Sequence, residues 1–234
     1  MAESVYKTSK IIDGMWNIEE GKVRAFLIEG ETRAMLVDTG FGTGDISAEV
    51  KSLTDKPVFV VNTHADRDHI GCNDMFDEVY LHPSEYDRYS RTGSPKKKSP
   101  FPVWEGDIID FGRFSFEVIL IPGHTPGSIA LLERNRRFLI SGDSVQSGDI
   151  FMFGEGRNLP AYIESLKKLQ KLSGCFDTVY ASHSNISVRA DIIPELLEGA
   201  IKLMRGEISS ENLYSPPMGA DCKLYRCPVA GFLY

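Results

Sequence analysis

The sequence predicts a mixed α/β chain, two sheets facing each other with helices outside, and three observations lead there. Short runs rich in Val, Ile, Leu and Phe outnumber the amphipathic helical segments and do not alternate with them regularly, which disfavours a simple doubly wound parallel sheet. Just after these runs come His64, Asp66, Asp68, His69, His124, Asp143 and His183. Strand ends share a direction in a packed sheet, so distant segments can meet at one edge. Finally, no linker-like boundary or internal repeat divides residues 1–234, so a single domain is expected.

Taken in order, RAFLIEGETRAMLVDTGFGTG (24–44) reads as two strands joined by GET, then a glycine-rich loop. Ile46, Val50 and Leu53 stand at helical spacing. KPVFVVNTH is a short valine-rich run, hence a buried strand that delivers His64 at its C-terminal end. His82, before the proline in YLHPSEY, is a turn residue that begins a helix. FSFEVILIPGH, SIALLE and RRFLISGD are further strands. PAYIESLKKLQKL is an amphipathic helix opened by Pro160, with Ile163, Leu166, Leu169 and Leu172 along one face. DTVYASHS is a short strand ending at His183. PELLEGAIKLMRG is a last helix that groups Leu196, Leu197, Ala200, Ile201 and Met204, and PVAGFLY an edge strand.

Composition narrows the function. A net charge of −7 without a basic arm argues against duplex nucleic acid, whose binding rests on neutralised phosphates. The one basic run, SPKKKSP at 94–100, is a solvated loop or a rim that attracts anionic substrates. No stretch approaches the roughly 18 apolar residues of a membrane span. The N-terminus lacks the basic start and apolar run of a secretory signal. A cytoplasmic protein acting on a small molecule is expected, with no nucleic acid or membrane partner and a homodimer left open. Cys72, Cys175, Cys222 and Cys227 fit no paired framework and read as free thiols, Cys72 as a small buried residue.

HADRDH (64–69) packs four ligand-type side chains onto a turn leaving a buried strand. Imidazoles and carboxylates are ligands of borderline and hard divalent metals. PGHTPGS fixes His124 in a turn pinned by two prolines and two glycines. ISGDS and YASHS add Asp143 and His183 after strands. Two cations about 3.5–4 Å apart can share a hydroxide, polarise an electrophile and hold a leaving group. No serine nucleophile motif such as G-x-S-x-G is visible, so hydrolysis of an ester, thioester, lactone or phosphodiester through metal-activated water is the natural outcome.

LVDTG (36–40), THADRDHIG (63–71), PGHTPGS (122–128), SGD (141–143) and His183 together resemble the metallo-β-lactamase superfamily, over nearly the whole chain. The resemblance implies a four-layer αββα sandwich of two mixed sheets flanked by helices, with two metal positions at one edge. It implies His64, residue 66 and His124 at the first metal; Asp68, His69 and His183 at the second; and Asp143 bridging both. Asp68 is also the implied catalytic carboxylate, and Asp38 orients ligands without binding metal.

Hydrolytic members usually carry His-x-His-x-Asp-His, whereas this chain has Asp66 at the third place. With Asp68 and Asp143 that makes three carboxylates, so two divalent cations and a hydroxide would sum to zero instead of plus one. Harder oxygen ligands move preference from zinc towards iron or manganese, with zinc still an option. A carboxylate here is similar to the flavodiiron proteins, which implies an alternative: a non-heme diiron oxidoreductase with a separate electron donor. A non-catalytic metal-bearing sensor is the third candidate. For substrate contacts, Phe151, Met152 and Phe153 suggest an apolar wall and Arg157 an anion holder. Residues 86–104 are a second candidate cover.

Overall fold

A computed structural model of the protein describes residues 5–92, 98–214 and 222–234, and the chain divides into two compact units, Met1–Val118 and Ile119–Tyr234. Residues 94–97 of the basic run lie outside the described residues.

The first unit opens with β1 (Tyr6–Ile12), β2 (Met15–Glu20), β3 (Val23–Glu29) and β4 (Ala34–Val37), joined antiparallel in sequence. GET is the turn between β3 and β4, as the sequence predicts, with Glu29 opposite Ala34. Next come α1 (Ile46–Leu53), β5 (Val58–Val61), β6 (Val79–Leu81), α2 (Tyr86–Thr92) and β7 (Phe101–Pro102). Strands β4 to β7 pair in parallel, giving a mixed seven-stranded sheet in the order β1-β2-β3-β4-β5-β6-β7. Helix α1 begins at Asp45, whose carboxylate accepts the Ala48 N–H (3.0 Å), and buries Ile46 and Val50 against Leu27, Leu36 and Val60. A hairpin follows, formed by β8 (Ile108–Asp110) with the first half of β9 (Ser115–Leu120).

In the second unit come β10 (Ile129–Glu133), β11 (Phe138–Ile140), β12 (Asp149–Phe151) and α3 (Leu159–Lys171), then β13 (Thr178–Tyr180) and β14 (Ser187–Arg189). Its main sheet runs β14-β13-β11-β10, with β11 and β13 parallel and the other pairs here antiparallel. Helix α3 starts at Asn158, whose side chain accepts the Ala161 N–H (2.9 Å), with Pro160 in the first turn as expected. Tyr162, Ile163, Leu166 and Leu169 are buried in a core shared with α4 (Ile192–Met204).

Two sequence expectations shift here. Helix α4 begins two residues early, and its buried stripe is Ile193, Leu196, Ala200 and Leu203. Leu197 and Ile201 only flank that core, and Met204 is exposed. Starting at Ile192 adds two isoleucines to the stripe one position over, and their burial sets the helix rotation. PVAGFLY is not an edge strand either. After β15 (Ser210–Tyr214) and β16 (Cys222–Arg226), its strand β17 (Gly231–Leu233) is interior to a third sheet, β12-β17-β16-β15. Phe232 and Leu233 are fully buried, which repays taking a neighbour on each side. Mixed sheets with helices are thus the observed class, as the sequence predicts.

Candidate metal centre

Strand β5 ends at Val61 and releases the chain into Asn62-Thr63-His64, as its valine-rich run predicts. Beneath this turn lies Asp38, the residue after β4, at φ 63. An aspartate in the left-handed region is uncommon and marks a position fixed by its surroundings. Its Oδ1 accepts the Thr63 N–H (2.8 Å), while Oδ2 accepts the Thr63 hydroxyl (2.8 Å) and meets His69 Nδ1 (2.7 Å). Around it, Asn62 donates to the His69 carbonyl (2.9 Å), Asn73 to Asn62 Oδ1 (2.7 Å) and Thr39 to Asn73 Oδ1 (2.7 Å). This satisfied polar network lies wholly inside the unit and holds the turn rigid.

These partners decide which ring nitrogen carries the proton. Asp38 can only accept, so His69 donates from Nδ1 and turns an Nε2 lone pair outward. Thr63 spends its hydroxyl proton on Asp38, so its oxygen accepts from His64 Nδ1 (3.0 Å), and Nε2 of His64 is again basic. Neutral imidazole with Nε2 available is the metal-binding form.

Asp66 and Asp68 occupy the same turn, partly buried. Oδ2 of Asp66 is 3.5 Å from His64 Nε2, and Oδ2 of Asp68 is 3.8 Å from His69 Nε2. The other oxygen of Asp66 accepts from Arg88 in α2, through Nε (2.6 Å) and Nη2 (2.5 Å). Glu85, fully buried one turn earlier, accepts the Ala65 N–H (2.9 Å). Sequence reasoning missed Arg88 and Glu85. Their i, i+3 spacing marks one helical face, but nothing in the sequence says which turn that face meets. His82 opens the 3₁₀ turn Pro83–Glu85, as expected, accepting the Ser84 N–H at Nδ1 (3.3 Å). Cys72 is buried, and desolvation pushes its thiol pKa up, in keeping with a packing role.

The second unit places its candidate ligands on three turns. Gly123 (φ 143) lies where a Cβ would collide with the Tyr162 backbone, so only glycine admits the PGHTPGS turn. Thr125 and Ser128 lock that turn, hydroxyl to hydroxyl at 2.7 Å. His124, buried, meets the Phe151 carbonyl through Nδ1 (2.9 Å). A carbonyl only accepts, so here too Nε2 carries the lone pair. Asp143 follows β11 through Gly142 (φ 56), and His183 follows β13. Oδ2 of Asp143 lies 3.4 Å from His124 Nε2 and 3.3 Å from His183 Nε2. Ligand atoms bound tetrahedrally at about 2.1 Å to one ion stand about 3.4 Å apart, so one oxygen is spaced to share an ion with each imidazole. In donor type, tautomer and spacing, these residues fit a metal.

Phe151 and Phe153 are partly exposed with rings 5.7 Å apart, whereas Met152 is buried in the core. The expected apolar wall therefore loses its middle residue to strand alternation. Arg157 is partly buried beside them in sequence, its N–H donating to the Gly154 carbonyl (3.3 Å).

A family model described as the metallo-beta-lactamase superfamily matches residues 18–174. The acyl-coenzyme A thioesterase MBLAC2 of Homo sapiens is 25% identical over 227 residues, covering 77% of this chain and 81% of its own length. The mitochondrial persulfide dioxygenase ETHE1 of Mus musculus is 32% identical over 113 residues, covering 48% and 43%. Among solved structures, a metallo-beta-lactamase from Pontibacter korlensis aligns with a TM-score of 0.70 at 16% identity, covering 84% of this chain and 99% of that one.

Proposed function

Since the chain belongs to the metallo-beta-lactamase superfamily, we propose that it is a two-metal hydrolase of esters or related electrophiles, thioesters first among them. On this reading His64, His124 and Asp143, with Asp66 beside His64, would hold one metal, and Asp68, His69 and His183 the other. The observation that carries this is Asp143, whose Oδ2 lies 3.4 Å from His124 Nε2 and 3.3 Å from His183 Nε2, one imidazole from each proposed group. When bound, two divalent ions supply a water acidic enough to attack near neutral pH and polarise the scissile bond.

The chain's own residues do the rest. Asp38 and Thr63 hold His69 and His64 in one tautomer, and the Phe151 carbonyl does so for His124. Asp68 stands at His69, where its carboxylate can take the proton of the attacking water. Phe151 and Phe153 offer an apolar face for an acyl chain, and Arg157 a cation for an anionic group. The oxygen donor of Asp66 supports iron or manganese, with zinc a competitor. Thioester is put first because MBLAC2 is a thioesterase by name and aligns over most of both chains.

A substrate panel on iron-, manganese- and zinc-loaded protein tests this, run beside oxygen uptake with a reduced flavin donor. Turnover of acyl thioesters is the expected result. Iron-dependent oxygen uptake with no hydrolysis anywhere in the panel would replace it with the diiron oxidoreductase.

A further inference from the structure

We propose that Arg88 and Asp66 act as one unit: the guanidinium holds Oδ1 so that Oδ2 faces the metal position at His64, and its charge offsets the carboxylate. The inference rests on the two-metal reading of the site and concerns what this chain has built around its departure from the usual histidine.

Two N–H groups of Arg88 converge on a single oxygen of Asp66, at 2.6 and 2.5 Å. That leaves Oδ2 at 3.5 Å from His64 Nε2, the spacing of two ligand atoms on one ion. The pair is sheltered, with the Asp66 side chain 13% and the Arg88 side chain 27% exposed. Glu85, three residues before Arg88, holds the backbone of the same turn at Ala65, so one helical face grips both main chain and side chain. Asp87 engages Arg91 (2.7 Å) on the exposed side of α2, separate from this grip. An arginine pairs with a carboxylate oxygen without losing its proton, so the offset persists at any working pH.

Charge then predicts an order among variants. Wild type, Asp66⁻ with Arg88⁺, carries no net charge at this pair, as a neutral histidine would. Asp66→His alone leaves Arg88⁺ beside the metal position without its carboxylate. The double variant Asp66→His/Arg88→Met returns the pair to neutrality and supplies a third imidazole. Asp66→His should therefore weaken zinc at the His64 position by roughly tenfold or more. The double variant should bind zinc at least as tightly as wild type, whereas Arg88→Lys keeps the charge but loses the paired N–H grip on Oδ1 and should bind more weakly than wild type.

The test titrates each metal-free protein with zinc and with manganese against a competing chelator, with circular dichroism to confirm folding. Wild type that takes up no metal would overturn the two-metal reading and this proposal together. Two ions bound by wild type, with Asp66→His holding zinc as tightly as the double variant, would overturn this proposal alone. The same follows if the variants change only the melting of the metal-free protein.

Discussion

If the two-metal proposal holds, Asp143 and Thr63 are the residues on which the site's chemistry turns most directly. Asp143→Ala removes an oxygen that lies 3.4 Å from His124 Nε2 and 3.3 Å from His183 Nε2, so if the two-metal reading holds, metal content should fall sharply. Metal analysis of the purified variant, with full occupancy as the adverse result, checks the bridging role. Thr63→Val is subtler. The hydroxyl donates to Asp38 and accepts from His64, so its loss frees the His64 ring to change tautomer. Metal affinity should drop about 10- to 100-fold by chelator competition while the ligand set stays intact. These residues were unevenly legible in the sequence. The histidines and aspartates announce themselves by density and by following apolar runs. Thr63 is an ordinary polar residue until its two partners are seen, and Arg88 sits in a segment whose contacts no spacing reveals.

Among the elements, the helical stretch from Pro83 to Thr92 carries more than its length suggests. His82 caps it with a neutral Nδ1, and burial holds that imidazole's pKa below the ordinary histidine value. The unfolded chain therefore binds a proton more readily than the folded one. His82's contribution is full above about pH 6.5 and is lost as pH falls from there towards the folded value. His82→Asn keeps an accepting side chain at the cap and cannot titrate. In metal-free protein its melting temperature should fall less than that of wild type between about pH 7 and about pH 5.5. Parallel slopes would assign the effect to other groups. The sequence marked the histidine as a turn residue, because the following proline restricts the chain. It did not mark β6, a three-residue strand too short for any periodicity to show. In α4 the apolar residues cover two adjacent stripes, so periodicity alone could not choose between them.

For the molecule as a whole, the α+β class was legible because short apolar runs outnumbered helices, and so was the set of candidate ligands. The third sheet was not, since β12 and β17 are three residues each and pair in parallel from segments 82 positions apart, Asp149 with Gly231. Only tertiary contact decides such a pairing. The seven-stranded sheet has a consequence for behaviour at high concentration. Its outer strands are β1 and β7, and an open strand edge invites another chain to add itself. Strand β7 is two residues long, with Phe101 exposed and followed by Pro102, which has no amide proton to offer. Strand β1 carries Lys7 and Lys10 and shifts register between Lys10 and Ile12, which twists that edge away. Both margins are thereby poor templates for intermolecular pairing. Pro102→Val would restore an amide beside an exposed phenylalanine, so light scattering on gentle heating should rise earlier than for wild type while the melting temperature barely moves. Earlier scattering would make the proline a solubility element, one that keeps the protein from joining its sheet to that of a neighbour.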